Sequence, residues 1–457
     1  MRPLSFLAVS SLALIQSFAA GLTLPSSEAQ IRRTRRSVNA QTQQELASVI
    51  SSNSTIFGPT DANWANETES NNHNIPFYAV SRGHALTTSV GLFKGIEIDM
   101  RSLDGIHINS NSVTAQFQGG VYSDEVINTL WNQGFVTGNV YVWTTRKPNG
   151  TAVRVNENSH PDLWWAMRGA GHNFGIVTSF ESKIWPDNFK TYFVKSYQFA
   201  GSSLDALIEQ VNKFQGNGTL DPTWLGSFGL YTMNTTLSQT EATITWIFLY
   251  DGAQVDAEPA LKPFDQLRPL SVDEVNVPYK VINDQIGGAV NGSLCEPNKT
   301  HILGTANLQT YNVTAMRAIY DLYNQKISQH PELGGTRVLV EGYAVQGVHS
   351  FKSDDSAFPL RDDNILTYFD VRFDSSDDPL IDFATEWRNQ TVDLWNAGQP
   401  ERKPTAYVNY AAGYEPLEAR YGYEPWRLER LRKLKSQYDP NNRFAWYNPI
   451  IPPNTGY

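Results

Sequence analysis

Two short segments of this 457-residue chain carry residue types that could bind an anionic group. In the first, a predicted strand leads into Ser81, Arg82, Gly83 and His84. A glycine beside an arginine at a strand end can present backbone N–H groups and a cation to an anion such as a pyrophosphate. A lone histidine in a loop is more often an ordinary polar residue, so these residues alone leave both interpretations of His84 open.

The second segment, residues 168–181, contains Gly169, Gly171 and Gly175 ahead of an apolar run. Its spacing is G-x-G-x-x-x-G, and it leads into a predicted strand, whereas the dinucleotide-binding fingerprint leads into a helix. The glycines allow the backbone to turn sharply and to approach either another strand or a ligand phosphate. On this segment alone the structural interpretation is favoured.

Several other kinds of site are excluded by what the sequence lacks. It contains no G-x-x-x-x-G-K-[ST], H-E-x-x-H or G-x-S-x-G motif, which argues against a P-loop, a zincin and an α/β-hydrolase. The 8 histidines form no close pair, and the single Cys295 permits neither an intrachain disulfide nor a thiolate zinc cluster. We therefore expect no metal. A net charge of −10 argues against a nucleic-acid partner.

The elements that must position these segments fall into two parts. From about residue 75 to 185, short β-branched runs alternate with glycine-rich turns, which indicates a mixed α+β unit. A helix is predicted over 123–134, with Ser123 as its N-cap. The predicted strands cover 75–80, 96–100, 112–117 and 175–180.

From 187 to 400 the predicted strands are longer and carry aromatic residues at alternate positions. With helices between them, they indicate one antiparallel sheet backed by helices. The strands cover 191–199, 242–250, 336–343 and 365–373, and the helices cover 203–214 and 314–328. The tail then adds a predicted strand over 405–411, a basic helix over 425–437 and a turn at 439–442.

The first twenty residues have the pattern of a secretory signal peptide. Arg2 precedes an apolar stretch over 4–15, and small residues stand at Ser17 and Ala19. No later stretch reaches about 18 uninterrupted apolar residues, so no membrane span is expected. If the protein is secreted, the asparagines of its N-glycosylation sequons are expected to lie at the surface. They are Asn53, Asn66, Asn149, Asn217, Asn234, Asn291, Asn298, Asn312 and Asn389.

Taken together, four separated blocks resemble the berberine-bridge-enzyme-like flavoproteins of the vanillyl-alcohol-oxidase (PCMH-type) FAD fold, specifically their secreted fungal members. The blocks are NIPFYAVSRGHAL, GIEIDMRSLDGI, HPDLWWAMRGAGHNFGIVTSFE, and YVNYA with YGYEPWRLERLRKLKSQYDPNNRF. The resemblance implies an α+β fold in which a PCMH-type FAD-binding domain, made of the early segment and the C-terminal tail, contains an inserted substrate domain. The implied boundaries are 1–20 for the signal peptide, 21–49 for a polar leader, 50–186 for an incomplete FAD domain, 187–400 for the substrate domain and 401–457 for the returning tail.

The resemblance also implies roles for individual residues. His84 matches the histidine that becomes covalently linked to the flavin ring, within a pyrophosphate loop that includes Ser81, Arg82, Gly83 and Ala85. Gly175 and Ile176 match a turn near the adenosine half of FAD. Tyr407 and Asn409 match residues near the isoalloxazine, and Tyr410 matches a catalytic tyrosine of several members. A phenol with a pKa near 10 needs a cation or a hydrogen bond nearby to serve as a base at neutral pH, and the sequence does not identify that partner.

Two blocks of the family pattern have no counterpart in this chain. Before NIPFYAV the family has an opening strand and helix, and after Gly138 it has a long glycine-rich passage that wraps the flavin and in some members supplies a cysteine. Because Cys295 lies in the substrate domain, a second flavin bond through cysteine is excluded. The absence of these two blocks suggests that the sequence is a shortened or incomplete version of a working enzyme, or a decayed copy of one.

The sequence thus predicts a secreted FAD-linked oxidoreductase. It would oxidise an alcohol or a similar C–H donor in a small molecule, a sugar or a secondary metabolite, by hydride transfer to the flavin, with molecular oxygen as acceptor. One alternative is a non-catalytic secreted glycoprotein that binds a ligand or partner without flavin. Another is a carbohydrate hydrolase, suggested by the signal peptide, the acidity and the 12 tryptophans.

Overall fold

The computed structural model describes residues 76–452, except positions 82, 84–86, 94, 112, 188–190, 217–219 and 288–298. In this part of the chain, a pair of parallel strands, a five-stranded antiparallel sheet and an eight-stranded antiparallel sheet are combined with helices. This arrangement confirms the predicted α+β class. No helix among the described residues has both the length and the apolar character needed to cross a bilayer.

The early part of the chain builds the two smaller sheets. Strands β1 and β2 pair in parallel, with Phe77 opposite Ile96, and no further described strand joins them. The five-stranded sheet has the order β3-β4-β7-β5-β6. The elements are β1 (Phe77–Val80), α1 (Thr88–Gly91), β2 (Ile96–Asp99), β3 (Ile106–Ile108), β4 (Thr114–Gln118), α2 (Ser123–Trp131), β5 (Phe135–Arg146), β6 (Ala152–Val155), α3 (Pro161–Ala170) and β7 (Ile176–Pro186).

The start of α2 differs by one residue from the prediction. Tyr122, rather than Ser123, is the N-cap, because its backbone is extended (φ −121°, ψ 165°) while Ser123 is already helical. The N–H of Tyr122 donates to the Glu125 carboxylate at 3.2 Å, which satisfies a donor that the helix itself leaves unpaired. The predicted helix is confirmed, and it ends at Trp131 rather than at residue 134.

The large sheet has the order β11-β8-β10-β9-β14-β15-β12, and β13 also pairs with β15. All four strands predicted for this region are present as β8, β10, β14 and β15. The elements are β8 (Tyr192–Phe199), α4 (Leu204–Phe214), β9 (Trp224–Thr232), β10 (Thr243–Tyr250), α5 (Gln254–Asp265), β11 (Ser271–Val277), α6 (Ile282–Gln285), β12 (Thr300–Gly304), β13 (Asn307–Leu308), α7 (Val313–Gln329), β14 (Arg337–Gly342), α8 (Gln346–His349), β15 (Ile365–Phe373) and α9 (Ile381–Ala397).

The two faces of this sheet have different coverings. Side chains such as Trp246 and Phe369 pack against α4, α5, α7 and α9 in the largest apolar core. The alternate residues, among them Phe228, Leu366 and Tyr368, belong to a second core that also contains Tyr407 and Tyr410 of the tail. Successive side chains of a strand point to opposite faces of the sheet. The helices therefore cover one face of the large sheet, and the C-terminal tail packs against the other.

The tail contains α10 (Leu417–Tyr421) and α11 (Pro425–Tyr438), so the predicted basic helix is confirmed. The predicted strand over 405–411 is wrong. The N–H groups of Tyr410 and Ala411 both donate to the carbonyl of Tyr407, at 2.8 and 2.9 Å, and the segment forms a buried turn. Its aromatic and β-branched composition favours a strand, but contacts with the rest of the tail decide the backbone conformation.

Candidate active site

The loop that follows β1 lies at the carboxyl end of the parallel pair. The Ser81 hydroxyl donates to the carbonyl of Gly120 at 3.3 Å, and Gly83 has a φ of +77°, in the region that favours glycine. Arg82, His84 and Ala85 lie outside the described residues. The described part of the loop therefore has the turned backbone expected at a ligand-binding strand end, and the roles of its residues stay a prediction.

The segment just after this loop is tied directly to the C-terminal tail. The N–H of Thr88 donates to the carbonyl of Ala412 at 3.0 Å, and the Ser89 hydroxyl donates to the carbonyl of Trp446 at 3.1 Å. The rings of Phe93 and Trp446 meet edge to face at 5.0 Å. Since Ala412 is two residues from Tyr410, the fold places the segment that begins at Thr88 beside the tail turn.

At this place the most unusual group is a carboxylate that the sequence analysis did not select. Glu341 of β14 is completely buried, and the Tyr410 hydroxyl lies 3.1 and 3.2 Å from its two carboxylate oxygens. The Tyr343 hydroxyl donates to the same carboxylate at 3.2 Å. Two phenols and one acid thus form a hydrogen-bonded cluster between the sheet and the tail.

The electrostatics of this cluster follow from its burial. Removal from water raises the pKa of Glu341 to about 8, although the hydrogen bonds from Tyr410 and Tyr343 oppose the increase. Burial, and then the Glu341 charge, raise the pKa of Tyr410 well above its ordinary value. Glu341 raises rather than lowers the pKa of Tyr410, so it does not stabilise a phenolate; it can instead receive the proton that Tyr410 gives up. Within this cluster, Glu341 is the group whose pKa lies closest to neutral pH.

Tyr407 and Asn409 are also brought together in the tail turn. The Asn409 amide donates to the Tyr407 hydroxyl at 2.8 Å, and the rings of Tyr407 and Tyr410 meet edge to face at 5.5 Å. On the other side, Tyr410 packs against Tyr368 of β15 with ring centroids 5.2 Å apart. These contacts fix the direction of the Tyr410 side chain, because a ring held on two sides has few alternatives.

The other two predicted cofactor residues are Gly175, directly before β7, and Ile176, the first residue of β7. A side chain at Gly175 would place its Cβ 2.3 Å from the Thr145 methyl and 2.7 Å from the Arg146 carbonyl, so this glycine allows β7 to approach β5. Ile176 packs with Phe77 and Phe444 in a small core that joins β1 to the tail. The structural explanation therefore accounts for Gly175, and it leaves a role of the backbone beside a ligand open.

Glu341 could have been found from the sequence by one signal. In the run RVLVEGY it is the only acidic residue of a strand that is otherwise apolar after Arg337, and a buried charge in such a run is typical of a functional site. A metal-binding alternative has no structural support, since the described residues include no group of three or more His, Cys, Asp or Glu side chains placed to hold an ion.

Comparison with known proteins identifies the family. A model described as "FAD binding domain" matches residues 68–145, and one described as "Berberine and berberine like" matches 406–451. The FAD-linked oxidoreductase anuG of Penicillium roqueforti is 42% identical, and the alignment covers 96% of this chain and 98% of that protein. This chain belongs to the berberine-like family of FAD-linked oxidoreductases, and FAD is its cofactor. A carbohydrate hydrolase is thereby excluded.

Solved structures agree on the fold. A chitooligosaccharide oxidase superposes with a TM-score of 0.69 at 16% identity, covering 85% of this chain and 89% of that one. The glucooligosaccharide oxidase of Acremonium strictum, described with a 6-S-cysteinyl, 8α-N1-histidyl FAD, gives a TM-score of 0.67 at 17% identity, covering 84% and 88%. The predicted fold, an FAD-binding domain with an inserted antiparallel sheet and helices, is confirmed.

The comparison also bears on the missing blocks. The alignment with anuG extends over 499 residues, more than the 457 of this chain, so that protein contains residues with no counterpart here. In β5, pairing with β7 is irregular between Thr137 and Val142. This irregularity lies where the sequence analysis places the absent glycine-rich passage, directly after Gly138.

Proposed function

We propose that this chain is a secreted flavin oxidase. It removes a hydride from a carbon that bears a hydroxyl group, or from a similar C–H donor, in a sugar or a secondary metabolite, and it uses molecular oxygen as acceptor, with hydrogen peroxide as the expected product. The observation that carries the proposal is the buried pair formed by Glu341 and Tyr410.

The chemistry of the pair suits the removal of a hydroxyl proton. As a carboxylate, Glu341 accepts the Tyr410 hydroxyl at two oxygens. Tyr410 Oη can therefore take the proton of a substrate hydroxyl while its own proton passes to Glu341. When bound, FAD supplies the acceptor for the hydride that leaves the adjacent carbon. Burial keeps water away from the proton that is moved.

The residues present fit the cofactor. Thr145, fully buried beside Gly175, has a hydroxyl without a hydrogen-bond partner among the described residues. Leaving such a group unpaired costs about 1–3 kcal/mol, and a polar atom of the adenosine half of FAD would satisfy it. The other residues proposed to hold FAD are Ser81, Arg82, Gly83, Ala85, Gly175, Ile176, Tyr407 and Asn409, with His84 as the point of covalent attachment.

Two further parts of the proposal concern the substrate and the localisation. The structural neighbours named as oligosaccharide oxidases favour including oligosaccharides among the substrates to be tested, alongside small secondary alcohols. Secretion is supported by the N-terminal pattern. Expression of the full chain in a fungal host, followed by N-terminal sequencing of protein from the medium, tests it. Retention of the whole chain inside the cell would contradict secretion.

The central experiment is the fate of the flavin in purified protein. We expect a yellow protein whose flavin stays with the polypeptide after acid precipitation, and peroxide formation with a substrate from the panel. The His84→Ala variant is expected to release its flavin on precipitation without unfolding, because only the covalent bond is removed. The matched control is His107→Ala, since His107 is an exposed histidine on β3.

Each outcome separates the hypotheses. Covalent flavin that is unchanged in His84→Ala would show that another residue is the attachment point. A folded protein that stays colourless even with excess FAD would contradict the oxidase proposal. It would favour the non-catalytic glycoprotein, an alternative consistent with the residues that anuG has and this chain lacks.

A further inference from the structure

A second buried carboxylate on the same face of the large sheet has no role in the proposed reaction. Asp251 directly follows β10, and only 7% of its surface is exposed. Its N–H donates to the carbonyl of Thr223 at 2.8 Å, which fixes the position of the residue. Its Oδ1 atom is buried and has no hydrogen-bond partner among the described residues. Burying a carboxylate oxygen without a hydrogen-bond partner is costly, so this atom of Asp251 suggests a ligand.

The strand register places aromatic residues around Asp251. Tyr250 pairs with Phe193, so Asp251 lies across from Tyr192, the first residue of β8. On its other side, Tyr192 pairs with Val277 of β11, two residues before Tyr279. Residues that face each other in an antiparallel pair lie on the same side of the sheet. The carboxylate and both tyrosines are therefore at one end of this face.

The aromatic rings are in contact with one another. The rings of Tyr192 and Tyr279 are 5.4 Å apart, and Trp131, at the end of α2, stacks on Tyr279 at 6.2 Å with an interplanar angle of 28°. We call these three rings with Asp251 the aromatic–acid cluster. It connects a helix of the early part of the chain to the large sheet, at the rim of the face that carries Glu341.

In the part of the chain that the structure describes, the charge that acts on Asp251 is that of another carboxylate. Burial, with a smaller effect from the charge of Asp187, raises the pKa of Asp251 to about 7. Burial and the charge of Asp251 raise the pKa of Tyr279 to about 12. Among the described residues, no Lys or Arg side chain forms an ion pair with Asp251. A bound cation would offset the cost of burying the Asp251 carboxylate.

We propose that the aromatic–acid cluster is a binding site for an organic ammonium group, that is, the protonated amine of a small molecule. The Asp251 carboxylate would accept its N–H groups, and the faces of Trp131, Tyr192 and Tyr279 would attract its charge. A metal cation is disfavoured because aromatic rings supply no oxygen ligands beyond two phenols.

The cluster is distinct from the proposed catalytic pair. Glu341 pairs with Phe228, and Phe228 pairs with Ile247, four residues before Asp251. At the usual strand spacings the two carboxylates are separated by a distance on the order of 15 Å. Binding at Asp251 therefore does not depend on flavin or on oxidation.

Calorimetric titration of the full protein with 2-phenylethylamine tests the proposal, with 3-phenylpropan-1-ol as the neutral probe of similar shape. At pH 8 we expect saturable binding of the amine at least tenfold tighter than that of the alcohol. The affinity for the amine is expected to fall as the pH is lowered through about 7, because Asp251 becomes protonated. This readout is the same whether the protein is yellow or colourless, so it is independent of the oxidase proposal.

Two variants localise the binding. Asp251→Asn is expected to weaken amine binding at least tenfold, whereas Asp256→Asn, which removes an exposed carboxylate five residues away, leaves it unchanged. If Asp251→Asn does not fold, Tyr279→Leu is the second variant, and it is expected to reduce the preference for amine over alcohol. Equal affinities for the two probes in the wild-type protein would overturn the proposal. Amine binding that is the same in Asp251→Asn as in Asp256→Asn would also overturn it.

Discussion

The Tyr410 hydroxyl lies within 3.2 Å of both oxygens of the Glu341 carboxyl group, and both residues are buried. In water a glutamate is ionised long before neutral pH, whereas burial here raises the pKa of Glu341 to about 8. The protonation state of this one carboxyl group therefore changes within the range in which an enzyme is assayed. If Glu341 and Tyr410 together accept the proton of the substrate hydroxyl, the enzyme is active only when Glu341 is ionised.

The first prediction concerns the pH dependence of the rate. Since the acid has a raised pKa, its carboxylate form is scarce below pH 8 and dominant above it. We expect kcat for an alcohol substrate to rise about tenfold per pH unit up to an inflection near 8 and then to level off. Tyr343→Phe removes a hydrogen bond to the carboxylate, so it is expected to move the inflection to higher pH. A rate that is flat from pH 6 to 9 in both proteins would exclude Glu341 as the proton acceptor.

The second prediction concerns the pair as a unit. Glu341→Gln keeps the size of the side chain but removes its ability to accept a proton, and Tyr410→Phe removes the hydroxyl. Each is expected to lower kcat about 100-fold to 10,000-fold, and the double variant is expected to lose little more than the worse single variant, because the two residues act together. Tyr368→Phe keeps the ring that packs on Tyr410 and serves as the control. Fully additive losses would show independent roles.

The third prediction concerns the residue that holds the tail turn in place. The Asn448 amide donates to the carbonyls of Val408 and Ala411, at 2.7 and 3.1 Å, and these residues flank Tyr410. Asn448→Asp replaces the donor with an acceptor, so the turn should lose both bonds. We expect kcat to fall about tenfold or more, with a shifted pH inflection and with FAD still bound.

Asn442→Asp is the matched control for this variant. Both asparagines lie in the tail at positive φ, 37° for Asn448 and 52° for Asn442, and the Asn442 amide donates to the exposed carbonyls of Ile451 and Pro452. Asn442 thus has a similar backbone conformation to Asn448, but its amide bonds to carbonyls outside the Tyr410 turn. If the two variants have the same kcat and pH profile, Asn448 does not position Tyr410.

The same contacts explain what could and could not be predicted from the sequence. Strands such as β15 were predictable because a run of nine residues rich in aliphatic and aromatic side chains is typical of a strand with two buried faces. The turn at 405–411 was not, because its conformation depends on Asn448, which lies some forty residues away in sequence. Glu341 was missed for a related reason. Its position becomes meaningful only when the strand register places it beneath Tyr410, and single-sequence patterns do not fix register.

The last prediction concerns the ion pair that fastens the tail. The Lys435 ammonium group donates to the Asp439 carboxylate at 2.5 Å and to the carbonyls of Asn173 and Phe444 at 2.8 and 2.9 Å, and both side chains of the pair are completely buried. Lys435→Met would leave the Asp439 charge buried without its partner. Breaking such a pair costs about 3–5 kcal/mol, so a marked fall in the denaturation midpoint is expected.

Lys433→Met, an exposed position on the same helix, is the control for this measurement and should leave the midpoint nearly unchanged. Because Phe444 packs against Phe77 of β1 at 5.5 Å, loosening the tail also loosens the unit that contains the loop of His84. The fluorescence of released or exposed flavin should therefore rise at lower denaturant than in the control, before the large sheet unfolds. A single transition at which flavin fluorescence and far-UV circular dichroism change together in Lys435→Met would show that the tail and the large sheet unfold as one unit.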